Sequence, residues 1–530
     1  MFTSLMNSKV YIYDTTLRDG SQAEGINFSL SDKLFIAEKL SAFGIHYIEC
    51  GWPGSNEKDM EFFKAARKRN WGQAKICAFG STRRPNAQVE NDPQVKMLLD
   101  AETPVVTCVG KSWLMHVTEV LRTTPDENRK MIFDTIAYLK KNGREAVYDA
   151  EHFFDGYKDN PEHALASIQA AADAGADYVV LCDTNGGTLP YEVSEITRQV
   201  VSKVKCAIGI HTHEDCGMAV ANAIAALQAG ATQVQGTING YGERTGNCNL
   251  TSIMPILELK LKSPVLPQGK LMSLSELSRT IDEVANQVPN MRAPFVGACS
   301  FAHKGGIHVN AINKNASSYE HINPAEVGNA QRILVGELSG RTNVTMKARQ
   351  LGVELDEKAP ETKDILEEIK RLENYGYEFE AADASFELLV SKKMKPFTPF
   401  FSLEEYHVSV RKNLKHDFGT CEATVKMYMD NERTATVADG EGGPVNALNS
   451  ALRKALHQKF PEIDKINLVD YKVRIINSAG GTAAKIRVLI LSTDGNREWS
   501  TVGVSENIIE ASWLALVDSV EYFLMRSRNV

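Results

Sequence analysis

Residues 14–20 read DTTLRDG and follow the apolar run Val10–Tyr13. That run reads as a buried strand, while Ser29 and the apolar-periodic segment after it read as a capped helix. The charged pair Arg18 and Asp19 therefore falls in a loop leaving a strand, where an α/β enzyme keeps its active site.

The same rhythm continues outward to about residue 250: a short apolar run, a polar or glycine-containing loop, then a longer segment of helical period. Eight runs follow the pattern: Val10–Asp14, Tyr47–Cys50, Lys75–Phe79, Val105–Cys108, Ala146–Ala150, Tyr178–Cys182, Ala207–Ile210 and Gln233–Thr237. Helical segments such as Ser31–Phe43, Glu57–Arg69 and Pro161–Ala174 separate them. Eight β–α units in a row predict a (β/α)8 TIM barrel, with a doubly wound open sheet as the alternative. The ends of the runs favour the barrel. Arg18 and Asp19, Glu49, Glu151 and His152, Asp183 and Thr184, His211 and His213, and Asn239 through Asn247 all follow candidate strands. Polar groups of this kind are costly to bury unless paired or metal-bound, so their convergence on one barrel mouth implies a site.

His211 and His213 form an H-x-H in IHTHEDCG. On a strand, side chains two residues apart face the same way, so both imidazoles can reach one cation. Asp19 and Asn247 complete a mixed nitrogen and oxygen set suited to Mg²⁺, Mn²⁺, Co²⁺ or Zn²⁺, without choosing between them. Arg18 reads either as a charge partner for Glu49 or Asp183, or as an electrophile that polarises a carbonyl beside the metal. Thr184 reads as a donor to a small carboxylate or as a helix cap.

The chain of 530 residues is 43% hydrophobic and 24% charged, with a formal net charge of -8, and several domains are expected. The deficit of Lys and Arg argues against a general nucleic-acid or anionic-membrane binder. With no long apolar run and no leader at the amino terminus, a cytoplasmic location is expected. Nine cysteines without a CxxC pair read as thiols rather than disulfides or a zinc knuckle. A TIM-barrel catalytic domain is expected over 1–275, helical linker subdomains over 276–393, and a small α+β regulatory domain over 394–530. The linker holds the helical stretches Leu274–Gln287 and Thr362–Tyr375 and the segment FAHKGGIHVNAI at 301–312.

Beyond the Pro396/Pro399 break the texture repeats itself. EATVKMYM, RTATVADG and ALNSALRKAL in one half answer AKIRVLIL, REWSTVGV and EASWLALVDSV in the other, an internal duplication of strands followed by a helix. Gly440, Gly442 and Gly443, and the pair Gly480 and Gly481, read as loops where backbone can approach a small ligand.

DTTLRDG, HTHEDCG and GYGERTGNCNL resemble the metal-dependent TIM-barrel family that includes isopropylmalate synthase, homocitrate synthase, citramalate synthase and hydroxymethylglutaryl-CoA lyase. The carboxy-terminal duplication is similar to the regulatory domain of isopropylmalate synthase. YIECGWPGSNEKDMEFF at 47–63 and FAHKGGIHVNA resemble the citramalate synthase branch, which condenses acetyl-CoA with pyruvate. The resemblance implies that Asp19, His211, His213 and Asn247 hold the divalent ion, that Arg18 contacts the keto oxygen and that Thr184 contacts the carboxylate. It further implies that Glu151 belongs to the catalytic network, and that His308, with Tyr319 as companion, assists deprotonation of the acetyl methyl over a barrel, in relatives that of the partner subunit. Asn310 stands where the synthases commonly carry Asp, so no base is expected there. A homodimer and feedback by isoleucine are implied. The rivals are a synthase for a larger 2-oxo acid, an acyl-CoA lyase, and a non-catalytic amino-acid sensor.

Overall fold

The computed structural model describes residues 9–336, 339–394, 397–411, 420–440, 442–476 and 484–528. These form two compact units, one running to Phe301 and including Ile322–Ala330, the other made of Ala302–His321 and the chain from Gln331 onward.

The first unit is a closed barrel of eight parallel strands in sequence order: β1 (Tyr11–Asp14), β2 (Tyr47–Gly51), β3 (Lys75–Ser81), β4 (Val105–Lys111), β5 (Glu145–Glu151), β6 (Tyr178–Asp183), β7 (Ala207–Thr212) and β8 (Gln233–Gly236). Tyr11–Asp14 pairs in register with Gln233–Gly236 and so closes the ring. All eight apolar runs are strands. Helices α1 (Leu30–Phe43), α2 (Glu57–Ala66), α3 (Pro93–Asp100), α4 (Pro125–Lys141), α5 (Phe153–Asp159), α6 (Pro161–Asp173), α7 (Pro190–Lys203), α8 (Ala219–Gln228), α9 (Leu250–Pro255) and α10 (Leu274–Val284) belong to the same unit. Their starts are written locally. Ser29 accepts the Asp32 amide in a capping box, Asp92, Thr124 and Asn160 cap α3, α4 and α6, and proline opens α3, α4, α6 and α7.

The two faces of the strands differ. Outward residues such as Ile12, Ile48, Ala78, Val106, Tyr148, Leu181 and Ile210 join the large core shared with the helices. Tyr13, Tyr47, Cys77, Val105, Val147, Tyr178, Val180 and Cys182 pack together as a separate inner cluster. Because side chains alternate along a strand, the residues two further on from this inner set, among them Glu49, Phe79, Asp149 and Thr184, face the same way nearer the carboxyl ends. The inner layer thus becomes polar towards the mouth.

The middle of the chain is helical, as expected, with α11 (Gly306–Lys314), α12 (Arg341–Gln350), α13 (Pro360–Tyr375) and α14 (Asp383–Met394). It also contains a minimal parallel pair, β9 (Ala302–His303) with β10 (Arg332–Ile333). Beyond it the duplication is strand–strand–strand–helix, twice. The first copy is β11 (Ser402–Arg411), β12 (Thr420–Met429), β13 (Glu432–Gly440) and α15 (Pro444–Leu456). The second is β14 (Asn467–Ile475), β15 (Ile486–Thr493), β16 (Glu498–Ser505) and α16 (Ile508–Arg528). Both sheets are antiparallel meanders, and both helices share one core with them, including Val425, Leu448, Ile490 and Leu516. Gly440 packs strand against helix, since a Cβ there would collide with backbone at Ala447. Pro396 and the pair Gly480 and Gly481 lie outside the described residues.

Candidate active site and metal centre

The carboxyl ends of the strands surround a cavity of about 440 Å³ lined by Arg18, Asp19, Trp52, Phe79, Arg84, Lys111, Asp149, Glu151, Thr184, His211, His213 and Arg244, among others. Of the strand-end residues singled out in the sequence, Arg18, Asp19, Glu151, Thr184, His211 and His213 are in that lining, whereas Glu49, His152, Asp183, Asn239 and Asn247 are not.

Asp19, His211 and His213 are all buried, with one candidate ligand atom from each lying within 4.8 Å of the others. His211 Nε2 is 3.2 Å from Asp19 Oδ2 and 3.4 Å from His213 Nε2. Burial raises the affinity of Asp19 for a proton, but the Arg18 guanidinium and His211 outweigh it and hold the carboxyl well below the usual carboxylate range. Burial pushes His213 down to about 3, with His211 adding to the effect, so it is a neutral donor at any ordinary pH. Burial also opposes charge on His211, yet its bond to Asp19 leaves it raised.

Asn247 reaches this cluster from the loop after β8. It pairs with His213 across an isolated antiparallel bridge. Its Nδ2 donates to the Tyr241 carbonyl at 3.1 Å, while its Oδ1 is buried and has no hydrogen-bond partner among the described residues. A buried amide oxygen without a donor is costly unless something positive meets it. The loop gives Asn247 no room to turn: Gly242, at φ +154, lies so close that a Cβ would strike Nδ2. A carboxylate, two imidazoles and an orphaned amide oxygen fit a divalent cation.

Arg18 is fixed on three sides. Its Nε donates to Glu49 Oε1 at 2.6 Å, Nη1 lies 3.3 Å from Asp19, and the guanidinium rests 3.9 Å from the centre of the Phe79 ring. Of the two partners offered by the sequence, Glu49 is the one found. Asp183 turns away to Thr188, its carboxylate accepting the Thr188 hydroxyl at 2.8 Å. Glu49 is also anchored by the Tyr13 hydroxyl at 2.6 Å, which in turn meets Thr107 at 2.6 Å.

Thr184 is not a helix cap. Its hydroxyl oxygen accepts the His152 N–H at 2.9 Å, which leaves its own hydrogen available to the cavity. Glu151 is paired with Lys111, which ends β4 three residues past Cys108 and was not marked by the sequence. Gln235 was missed too. Its Oε1 lies 2.9 Å from His211 Nδ1, and its Nε2 donates to Asp149 at 3.1 Å. Asp149 is pushed up to about 7 by burial and by Glu49. Phe79 and Asp149 line the cavity, whereas Cys108, further back on β4, is wholly buried.

His308 and Tyr319 belong to the second unit, where their rings stack at 4.3 Å. Both are exposed, as is Asn310 on the same helix α11. Next to Tyr319, the buried Glu320 meets His303 at 3.2 Å and Gln331 at 2.8 Å.

A closed parallel barrel with this donor set at its carboxyl mouth has the layout of a TIM-barrel enzyme with a candidate metal site. The HMGL-like family model matches residues 9–281, the homocitrate synthase post-HMGL domain-like model residues 295–376, and the LeuA allosteric (dimerisation) domain model residues 380–524. An (R)-citramalate synthase of Aquifex aeolicus is 55% identical over 525 residues, covering 99% of both chains. Another from Geobacter sulfurreducens is 51% identical over 523 residues, again covering 99% of both. A probable 2-isopropylmalate synthase of Methanopyrus kandleri is 31% identical over 529 residues, covering 99% of this chain and 100% of its own. The chain belongs to the (R)-citramalate synthase family, within the wider isopropylmalate and homocitrate synthase group.

Proposed function

We propose that this enzyme condenses acetyl-CoA with pyruvate and water to give (R)-citramalate and free CoA. The observation that carries the reading is the single cavity in which Arg18, Thr184 and Glu151 face the Asp19, His211 and His213 cluster. Full-length similarity to (R)-citramalate synthases supports pyruvate as the 2-oxo acid.

Asp19, His211, His213 and the orphaned oxygen of Asn247 would hold the divalent ion, which supplies Lewis acidity for a ketone and its developing oxyanion. Arg18, with Nε and Nη1 committed to Glu49 and Asp19, offers Nη2 to the keto oxygen. Thr184 donates its hydroxyl hydrogen to the pyruvate carboxylate. His308, stacked on Tyr319, is proposed to assist removal of a proton from the acetyl methyl, and Glu151, held by Lys111, to act in proton transfer within the barrel cavity. The new carbon–carbon bond joins the acetyl methyl carbon to the keto carbon, the oxyanion takes a proton, and water then cleaves the thioester to release CoA.

The product fits a route to isoleucine, and isoleucine is the proposed effector of the carboxy-terminal domain, which matches the LeuA allosteric (dimerisation) model. A homodimer is proposed on the same ground. No helix among the described residues is long and apolar enough to cross a membrane, in keeping with the proposed cytoplasmic location.

Steady-state rates with pyruvate, 2-oxoisovalerate and 2-oxoglutarate, each with and without isoleucine, test the reading. Pyruvate is expected to be turned over with the highest kcat/KM, and isoleucine to lower the rate. A larger acid preferred over pyruvate sinks the proposed substrate.

A further inference from the structure

The loop after β2 carries a tryptophan whose position is specified at both ends. The Trp52 amide donates to Asp59 Oδ2 at 2.9 Å, and its indole Nε1 donates to Gln94 Oε1 at 2.8 Å. Asp59 is itself buried, ion-paired with Lys33 from α1, and Lys33 also donates to the Cys50 carbonyl at 3.1 Å. Between them Gly51 passes so close to Asp59, at φ +153, that a Cβ could not be accommodated. A buried ion pair, a glycine and a side-chain amide thus converge on one indole. An aromatic that only filled space would need none of them.

The pinned indole meets Phe79 edge to face, with ring centres 5.5 Å apart at 81°, and the face of Phe79 carries the Arg18 guanidinium. Trp52 and Phe79 both line the cavity. The three substituents of a ketone carbon diverge in one plane. If the keto oxygen meets Arg18 after β1 and the carboxylate meets Thr184 after β6, the third substituent is directed towards β2 and β3, where these two rings stand.

We infer that Trp52 is a specificity-determining residue: with Phe79 it forms an aromatic wall against the side chain of the 2-oxo acid, and Gln94 and Asp59 position that wall. The inference rests on the pyruvate condensation proposed above and assigns selection for a short side chain to named residues. One methylene against a fixed apolar wall is worth roughly 10- to 200-fold in kcat/KM.

The test uses the full-length Mn²⁺-loaded protein and its Trp52→Ala, Trp52→Phe and Gln94→Leu variants. For each, kcat/KM is measured on pyruvate, 2-oxobutanoate and 2-oxoisovalerate, beside Mn²⁺ affinity by calorimetry. Trp52→Ala is expected to shift the ratio of pyruvate to 2-oxobutanoate by about 10-fold or more towards the larger acid. Gln94→Leu shifts it the same way by a smaller factor, Trp52→Phe keeps most of the native ratio, and Mn²⁺ affinity holds throughout. Equal losses on all three acids overturn the wall. Should Trp52→Ala fail to fold, Gln94→Leu decides by the same ratio. A wild-type preference for 2-oxoisovalerate overturns the functional reading instead, and is seen without any variant.

Discussion

Nδ1 of His211 stands 2.9 Å from Oε1 of Gln235, whose amide nitrogen donates onward to Asp149. Because Gln235 Oε1 can only accept, it orients His211 through Nδ1–H, which leaves Nε2, facing Asp19 and His213, as the ring nitrogen for the proposed ion. Gln235→Leu removes this support without touching a proposed ligand. It is expected to weaken Mn²⁺ binding by about 10- to 100-fold in calorimetry, with the barrel's circular dichroism unchanged.

Removing a proposed ligand differs from removing a proposed proton carrier. Asp19→Ala is expected to abolish Mn²⁺ binding and turnover together, because it takes away the carboxylate that both His211 and Arg18 face. His308→Ala is expected to leave Mn²⁺ affinity at the wild-type value and to lower kcat by roughly 100-fold or more. Loss of the metal from the second variant would show that His308 has the wrong role.

Arg18→Lys keeps the charge and discards the fork. The replacement has no Nε to hold on Glu49 and no plane to lie on Phe79. A fall of about 100-fold in kcat/KM for pyruvate is expected, with Mn²⁺ affinity changed far less, measured by steady-state kinetics beside calorimetry.

Asp518, on α16, supplies a pH dependence away from the active site. Burial raises its pKa from 3.8 to about 6, against the opposing pull of Lys392 and of the Ser385 hydroxyl, which donates to it at 2.6 Å. The folded state therefore holds a proton that the unfolded chain has lost, and this contribution to stability is complete below about pH 4 and lost as the pH rises through about 6. Denaturant titrations followed through Trp499 and Trp513 fluorescence are expected to show a downward slope of stability over that interval, flattened in Asp518→Asn.

What was legible in the sequence follows from how each element is solvated. The eight barrel strands announced themselves because both their faces are buried, and the proposed ligands stood out as polar residues at the ends of apolar runs, where burial is costly without a partner. The first strand of each carboxy-terminal repeat was not singled out. Ser402–Arg411 and Asn467–Ile475 alternate apolar and polar residues in part, as at Tyr406, Val408 and Val410, but they lie at sheet edges and are largely exposed, outside the repeated segments that marked the duplication. Lys111 and Gln235 were missed for another reason: nothing in VVTCVGK or QVQG distinguishes a side chain turned to the cavity from one turned to solvent. Only the closed ring assigns Gln235 to His211, since the two belong to adjacent strands brought level by the pairing of His211 with Gln235.

The barrel closes where β1 lies against β8, and the proposed metal ligands straddle that seam. Asp19 follows the first strand, His211 lies one residue before the end of the seventh, and Asn247 follows the eighth. A cation held there works as a clasp between the two ends of the barrel, and it has no complete set of donors until the ring has shut. A bound ion would therefore stabilise the closed barrel over any opened form by mass action, in the measure that its donors exist together only in the closed one.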